Sequence, residues 1–181
     1  MNQQHCLKLT YNIYALRKKW KHIMDCNPAI MPTQSFEYYC YLFLAFYSRL
    51  FKVGHWRMAF HYYRNDKEEC IIPLVVNHKR KQIRSVSYYG RLDYDDVIST
   101  TNSMEFISEA MRQVCQLYPQ YQITWKNINE KCIVYTTLKG IAEIQEPCVS
   151  IELPTSYELY YISLSKHQRQ NIRTSYNRLN T

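Results

Sequence analysis

The residues best suited to chemistry in this sequence include three cations near its end. Lys166, Arg169 and Arg173 recur at i, i+3 and i+7, which sets them along one stripe of a helix. Ile172, Tyr176 and Leu179 form the neighbouring apolar stripe. The basic stripe reads either as a solvated face beside a packed one or as a cradle for an anion, helped by free N–H groups at a helix start near Ser165. A second group is Asp93-Tyr94-Asp95-Asp96, an acidic stretch just after Gly90. Carboxylates there either cap turns or face a substrate from a strand-end loop. Asp93, Tyr94 and Asp96 are the candidate substrate-binding set. Three nearby aspartates could also hold a cation, although the D-x-D-x-D-G calcium pattern is missing.

Other chemistries are excluded or weakened by spacing. The three glycines, Gly54, Gly90 and Gly140, stand far apart, so neither a G-x-G-x-x-G dinucleotide loop nor a P-loop can be built. The six histidines make no H-E-x-x-H pattern, and no metal site is expected. G-x-S-x-G is absent, and no Ser–His–Asp or Cys–His triad can be assembled from a recognisable motif. The seven cysteines are odd in number and form no C-x-x-C pair, so they read as reduced thiols of a cytoplasmic protein. The longest apolar run, Tyr38 to Tyr47, is too short to span a bilayer, and the first ten residues lack a signal peptide's charged and apolar regions.

The elements that must position these groups follow from periodicity. Asn12 caps a helix carrying Ile13, Leu16, Trp20, Ile23 and Met24, closed by Pro28 and Pro32. A second helix, from about Ser35 to Leu50, is apolar almost all round, which predicts a central position or a covering layer. Alternation then predicts a half-buried strand over Trp56 to Tyr63. Cys70 to Val76 is a strand whose Pro73 suggests an edge or a bulge. Ile83 to Tyr89 completes an antiparallel meander. Val97-Ile98 could pair briefly within the Gly90 to Ser99 loop. Asn102 and Glu105 resemble a capping pair for a helix ended by Pro119. Ile123 to Ile128 and Val149 to Leu153 read as strands, and Cys132 to Leu138 as either strand or helix. Thr155-x-x-Glu158 and Ser165-x-x-Gln168 are capping boxes for two last helices, the second running over about 165–179. The order predicts one α+β domain over residues 1–181, with a central antiparallel or mixed sheet flanked by helices.

Charge leaves a further reading open. Lys and Arg total 23 against 15 acids, a net charge of +8. This is a soluble basic surface or the footprint of a polyanion. The denser clusters are Arg17-Lys18-Lys19 with Lys21, Lys79-Arg80-Lys81 with Arg84, and the final stripe. The 18 tyrosines invite a stacking platform, but no RRM-type aromatic motif is present. Nucleic acid is therefore the lesser expectation for a partner.

The order of these pieces resembles a family. Pro32-Thr33-Gln34-Ser35-Phe36-Glu37-Tyr38 resembles the P-x-Q-S-x-E-aromatic start of the CelD-like acetyltransferases, a group of the GNAT superfamily. Ile72-Pro73-Leu74, a basic turn and Ile83-Arg84-Ser85-Val86 look like their central hairpin. Gly90 to Asp96 looks like their glycine-then-D-Y-x-D loop. Pro147 to Leu153, then Leu164-Ser165-Lys166 and Arg169-Gln170-Asn171-Ile172-Arg173, resemble their strand leading to a basic helix, with a related run in the FemABX peptidyltransferases. The resemblance covers about residues 30 to 180. It implies a GNAT-like fold and, for the complete family, acyl transfer from acetyl-CoA or another acyl-CoA to an amine or hydroxyl. It also implies a second GNAT domain after the basic helix, carrying the CoA loop and the catalytic groups. This chain shows no R/Q-x-x-G-x-G/A loop, so the expectation is an acceptor-side N-terminal domain that is inactive alone. Its catalytic residues are unknown and it has no cofactor of its own. Its expected partner is a separate or following C-terminal GNAT domain, or a second copy. The other expectation is a free-standing basic module for nucleic acid or another polyanion.

Overall fold

A computed structural model describes residues 6–50, 55–89, 95–126, 128, 134–135 and 154–179. The chain divides into two compact units, residues 1–142 and 143–181. The first is an α+β unit built on a six-stranded, mostly antiparallel sheet. Its strands are β1 (Cys6–Thr10), β2 (Trp56–Arg64), β3 (Glu69–Asn77), β4 (Gln82–Ser85), β5 (Ile98–Ser99) and β6 (Gln122–Thr124). The order is β1-β2-β3-β4-β6, with β5 pairing β3. Strand β6 runs parallel to β4, which makes the sheet mixed.

Helices cover both faces. On one face lie α1 (Arg17–Cys26) and α2 (Phe36–Leu50), on the other α3 (Met104–Leu117). Strand β2 is therefore not half-buried as its alternation predicts. Met58, Phe60 and Tyr62 face α1 and α2, while Ala59, His61 and Tyr63 are buried on the α3 side. His61 is the polar exception in that second layer. Its Nδ1 lies 3.2 Å from the Ile72 carbonyl and its Nε2 2.7 Å from the Tyr118 hydroxyl. A carbonyl only accepts, so Nδ1 carries the proton and Tyr118 donates to Nε2.

Pro73 does not mark an outer edge, because β3 lies inside the sheet. It pairs Phe60 on one side, but on the other β5 reaches only Cys70 and Ile71 and β4 begins at Leu74. The gap is a local edge, where a residue without an N–H breaks no ladder. The third predicted strand ends early. Val86–Tyr89 turn as a 3-10 helix, drawn out of the sheet by a bond from the Ser87 N–H to Asp95.

The first helix begins as a 3-10 turn over Ile13–Leu16, and Asn12 caps it by accepting from the Tyr14 N–H. Within α2, Phe36, Tyr39 and Leu42 are buried, but Tyr41 and Leu44 are exposed. Its outer apolar side thus has no covering layer among the described residues. Helix α3 is capped by Ser103 rather than Asn102, the Ser103 hydroxyl accepting from the Phe106 N–H. Asn102 instead accepts from the Asn27 side chain. Ser103→Ala should cost about 1 kcal/mol in a urea melt, the usual worth of such a cap.

The second unit contains α4 (Tyr157–Ser163) and α5 (Lys166–Leu179). Ser156, not Thr155, caps α4, accepting from the Leu159 N–H. The box at α5 forms as predicted: Ser165 Oγ accepts from the Gln168 N–H and Gln168 Oε1 accepts from the Ser165 N–H. The predicted strand over 149–153 lies outside the described residues, as does most of 132–138.

Candidate functional site

The first described residue of the acidic run is Asp95, and the chain around it fixes its place. Asp95 is fully buried. Its Oδ2 accepts from the Ser87 N–H at 2.8 Å, and its Oδ1 from the Tyr39 hydroxyl at 3.4 Å. Its carbonyl accepts from Trp125 Nε1 at 3.3 Å. Burial pushes the carboxyl up to about 6, with Asp96 adding to the rise, while the Ser87 N–H and Tyr39 hydroxyl pull it back. Burial and the Asp95 charge in turn raise the Tyr39 phenol well above its ordinary range.

A closed ring of hydrogen bonds braces the same corner. Ser87 Oγ donates to the Lys126 carbonyl at 2.6 Å, since the carbonyl can only accept. Ser87 must then accept from Ser85 Oγ at 2.8 Å, and Ser85 accepts from the Lys126 N–H at 2.9 Å. The ring satisfies two buried hydroxyls and locks the end of β4 to the chain leaving β6.

Asp96 sits one residue on and is half-buried. Its Oδ1 accepts from the neighbouring Val97 N–H at 2.7 Å, and its carbonyl from Gln34 Nε2 at 3.3 Å. Gln34 ties the corner to the helices, because its own carbonyl accepts from Trp20 Nε1 at 2.9 Å. Asp93 and Tyr94 lie outside the described residues. Two residues emerge that spacing did not single out as site residues, Asp95 and Gln34. Gln34 had a signal, its place in Pro32-Thr33-Gln34-Ser35. Asp95 had only its membership of a run of aspartates.

On α5, Lys166 and Arg173 are exposed and Arg169 is half-buried. They share one helix face, as their spacing requires. Arg169 Nη1 reaches back to the Ile162 carbonyl at 2.9 Å, which caps the end of α4 with a cation. The capping box uses the Gln168 N–H, so the helix start offers fewer free donors than an uncapped one. Asp96 belongs to the first unit and this stripe to the second.

Among the described residues no group of three His, Cys, Asp or Glu side chains could hold a metal ion, and no helix is long and apolar enough to cross a membrane. A scan against protein-family models finds no match, and searches of the curated proteins and of the solved structures find none either.

Proposed function

We propose that this chain is the acceptor-side, GNAT-like N-terminal domain of an acyltransferase that uses acyl-CoA, of the CelD-like kind. The observation that carries the reading is the sequence order of its parts on this fold. The P-x-Q-S segment, the basic-turned hairpin, the acidic loop and the capped basic helix follow one another along the chain. The six-stranded, mostly antiparallel sheet with helices on both faces is compatible with a GNAT-like unit. Gln34 from the first motif bonds directly to Asp96 from the third, so these two segments meet in the folded chain.

In this reading Asp93, Tyr94 and Asp96 are the acceptor-binding set, and the buried Asp95 anchors its neighbour Asp96. Lys166, Arg169 and Arg173 meet an anionic part of the substrate or of the donor. The acyl group moves directly from CoA sulfur to an acceptor amine or hydroxyl, which loses a proton to a general base as the thiol leaves. The oxyanion donors, the base and the CoA loop belong to a second GNAT domain, in the same polypeptide or on a partner. On α4 and α5, Ile162 and Leu179 are 68% and 82% exposed, apolar surface suited to such a partner.

Acetyl-CoA titrated calorimetrically into the chain alone should give no binding heat. A tight complex that transfers acetyl groups would overturn the assignment. An antibody blot of the source cells should show the chain within a longer polypeptide, or co-purifying with a CoA-binding subunit. A free chain with no such companion would count against the reading.

A further inference from the structure

The two ends of the central strand pair differ in their described charges. Strands β2 and β3 are joined at one end by a turn and separated at the other, where β3 turns into β4. The β2–β3 end is mixed: it holds Asp66, Glu68 and Glu69 together with Arg64 and Lys67, and the start of α3 brings Glu105 there. At the β3–β4 end stand Lys79, Arg80 and Lys81, all exposed in the turn after Asn77, with exposed Arg57 opening β2. No carboxylate from a described element lies in the strand ends and turns that meet there. Lys81 donates to the Gln120 side chain at 3.1 Å, and among the described residues no carboxylate pairs with it. Among the described residues the ion pair between Arg112 and Glu109 lies elsewhere, on α3.

Beside this turn stands an aromatic group. His78, the first residue of the turn, is exposed and held on both ring nitrogens. Its Nε2 lies 3.1 Å from the Tyr11 hydroxyl and its Nδ1 3.0 Å from the Tyr121 hydroxyl. Tyr118 packs behind, its ring 5.3 Å from that of Tyr121 and its hydroxyl bound to buried His61. Tyr11 and Tyr121 are half-buried, so they are rigid and still reachable. The group comes from four separated pieces of chain: the end of β1, the β3–β4 turn, the end of α3 and the start of β6.

We propose that this end of the sheet binds single-stranded nucleic acid, with the basic turn on the phosphates and the Tyr11–His78–Tyr121 group against the bases. Cations with no ion-pair partner among the described residues, beside fixed aromatic rings, are the two parts such binding needs. A duplex would hide its bases from the rings, and the turn offers no helix to enter a groove. An anionic membrane would meet the same cations. However, Tyr11 and Tyr121 spend their hydroxyls on an exposed imidazole, a polar assembly that does not enter hydrocarbon. The surface is built from first-unit residues that the acyltransferase reading does not use, so it stands whether or not that reading does.

The test is fluorescence anisotropy of the full chain with a labelled oligouridylate, across a salt series. Binding should weaken steeply as salt rises. Lys79→Glu with Arg80→Glu should weaken it at least tenfold and flatten the slope of log affinity on log salt by about 1.4, two phosphates at roughly 0.7 each. Tyr121→Leu should weaken it roughly tenfold by loss of stacking, while Tyr121→Phe keeps the ring and most of the affinity. Heparin, a polyanion without bases, should respond to the charge reversals but not to Tyr121→Leu. Thermal melts check that each variant is folded. The proposal is overturned by absence of oligouridylate binding at low salt, or by charge reversals without effect. It also falls if Tyr121→Leu leaves affinity intact, or if vesicles of anionic phospholipid outcompete the oligonucleotide.

Discussion

Trp20→Ala should lower folding stability by about 4 kcal/mol, within the range seen when a buried Trp or Phe is cut to Ala. Trp20 is fully buried between α1, α2 and the sheet. Its ring lies 5.0 Å from Tyr39, 5.9 Å from Phe36 and 6.1 Å from Phe60, so α1 loses contact with both α2 and β2 at once. The indole N–H also satisfies the Gln34 carbonyl. Removing it leaves a buried acceptor unpaired, which costs about 1–3 kcal/mol by itself. Trp20→Phe should fall between the two, keeping most of the apolar volume and losing the hydrogen bond. The effect should spread to Asp95 and Asp96, because Gln34 holds Asp96 and Tyr39 holds Asp95. Urea unfolding followed by far-UV circular dichroism gives the free energies. A loss under about 1 kcal/mol for Trp20→Ala would mean that α1 is not packed on the sheet in this way.

The elements with long, strong periodicity were legible in the sequence. Trp20, Ile23 and Leu16 mark α1 at helical spacing, and Phe106, Ile107, Ala110, Met111 and Val114 mark α3, the last five all buried. The β2–β4 meander was legible from alternation and its polar turns. What escaped depends on partners far off in the chain. Strand β1 is five residues with a mixed burial pattern, and only pairing with β2 defines it. Strand β6 is three residues, and nothing within Gln122–Thr124 says that it runs parallel to β4. His61 and Tyr63 sit on the face that alternation assigns to solvent, and α3 reverses that assignment from more than forty positions away. At the candidate site the sequence marked the acidic run but could not rank its members. Of the two described members, Asp95 is the fully buried one, reached by Ser87 from 8 residues and Tyr39 from 56 residues before it.

Two buried ionisable groups give this fold opposing responses to pH. Among the described residues His61 has no opposite charge beside it, and burial holds its imidazole down at about 4, well below the ordinary value near 6.5. The unfolded chain therefore takes up this proton more readily than the folded one. The His61 contribution is intact above about pH 6.5 and is lost as pH falls toward 4, by about 3 kcal/mol in all. Asp95 behaves in the reverse sense. Its carboxyl is raised from 3.8 to about 6, so the folded chain holds the proton longer. That contribution is intact below about pH 3.8 and is lost as pH rises through 6, again by about 3 kcal/mol. Across pH 4 to 6 the two slopes oppose each other and nearly cancel. Each single variant should expose the other group. Relative to the parent chain, Asp95→Asn should gain stability as pH rises from 4 to 6, because only the His61 slope remains. His61→Gln should lose stability over the same interval. Urea midpoints at unit pH steps, taken as differences from the parent, isolate each residue from the background of surface carboxylates. Parallel profiles for all three proteins would mean that neither group is buried as the structure places it. A slope in the parent that matches only one variant would identify which of the two is.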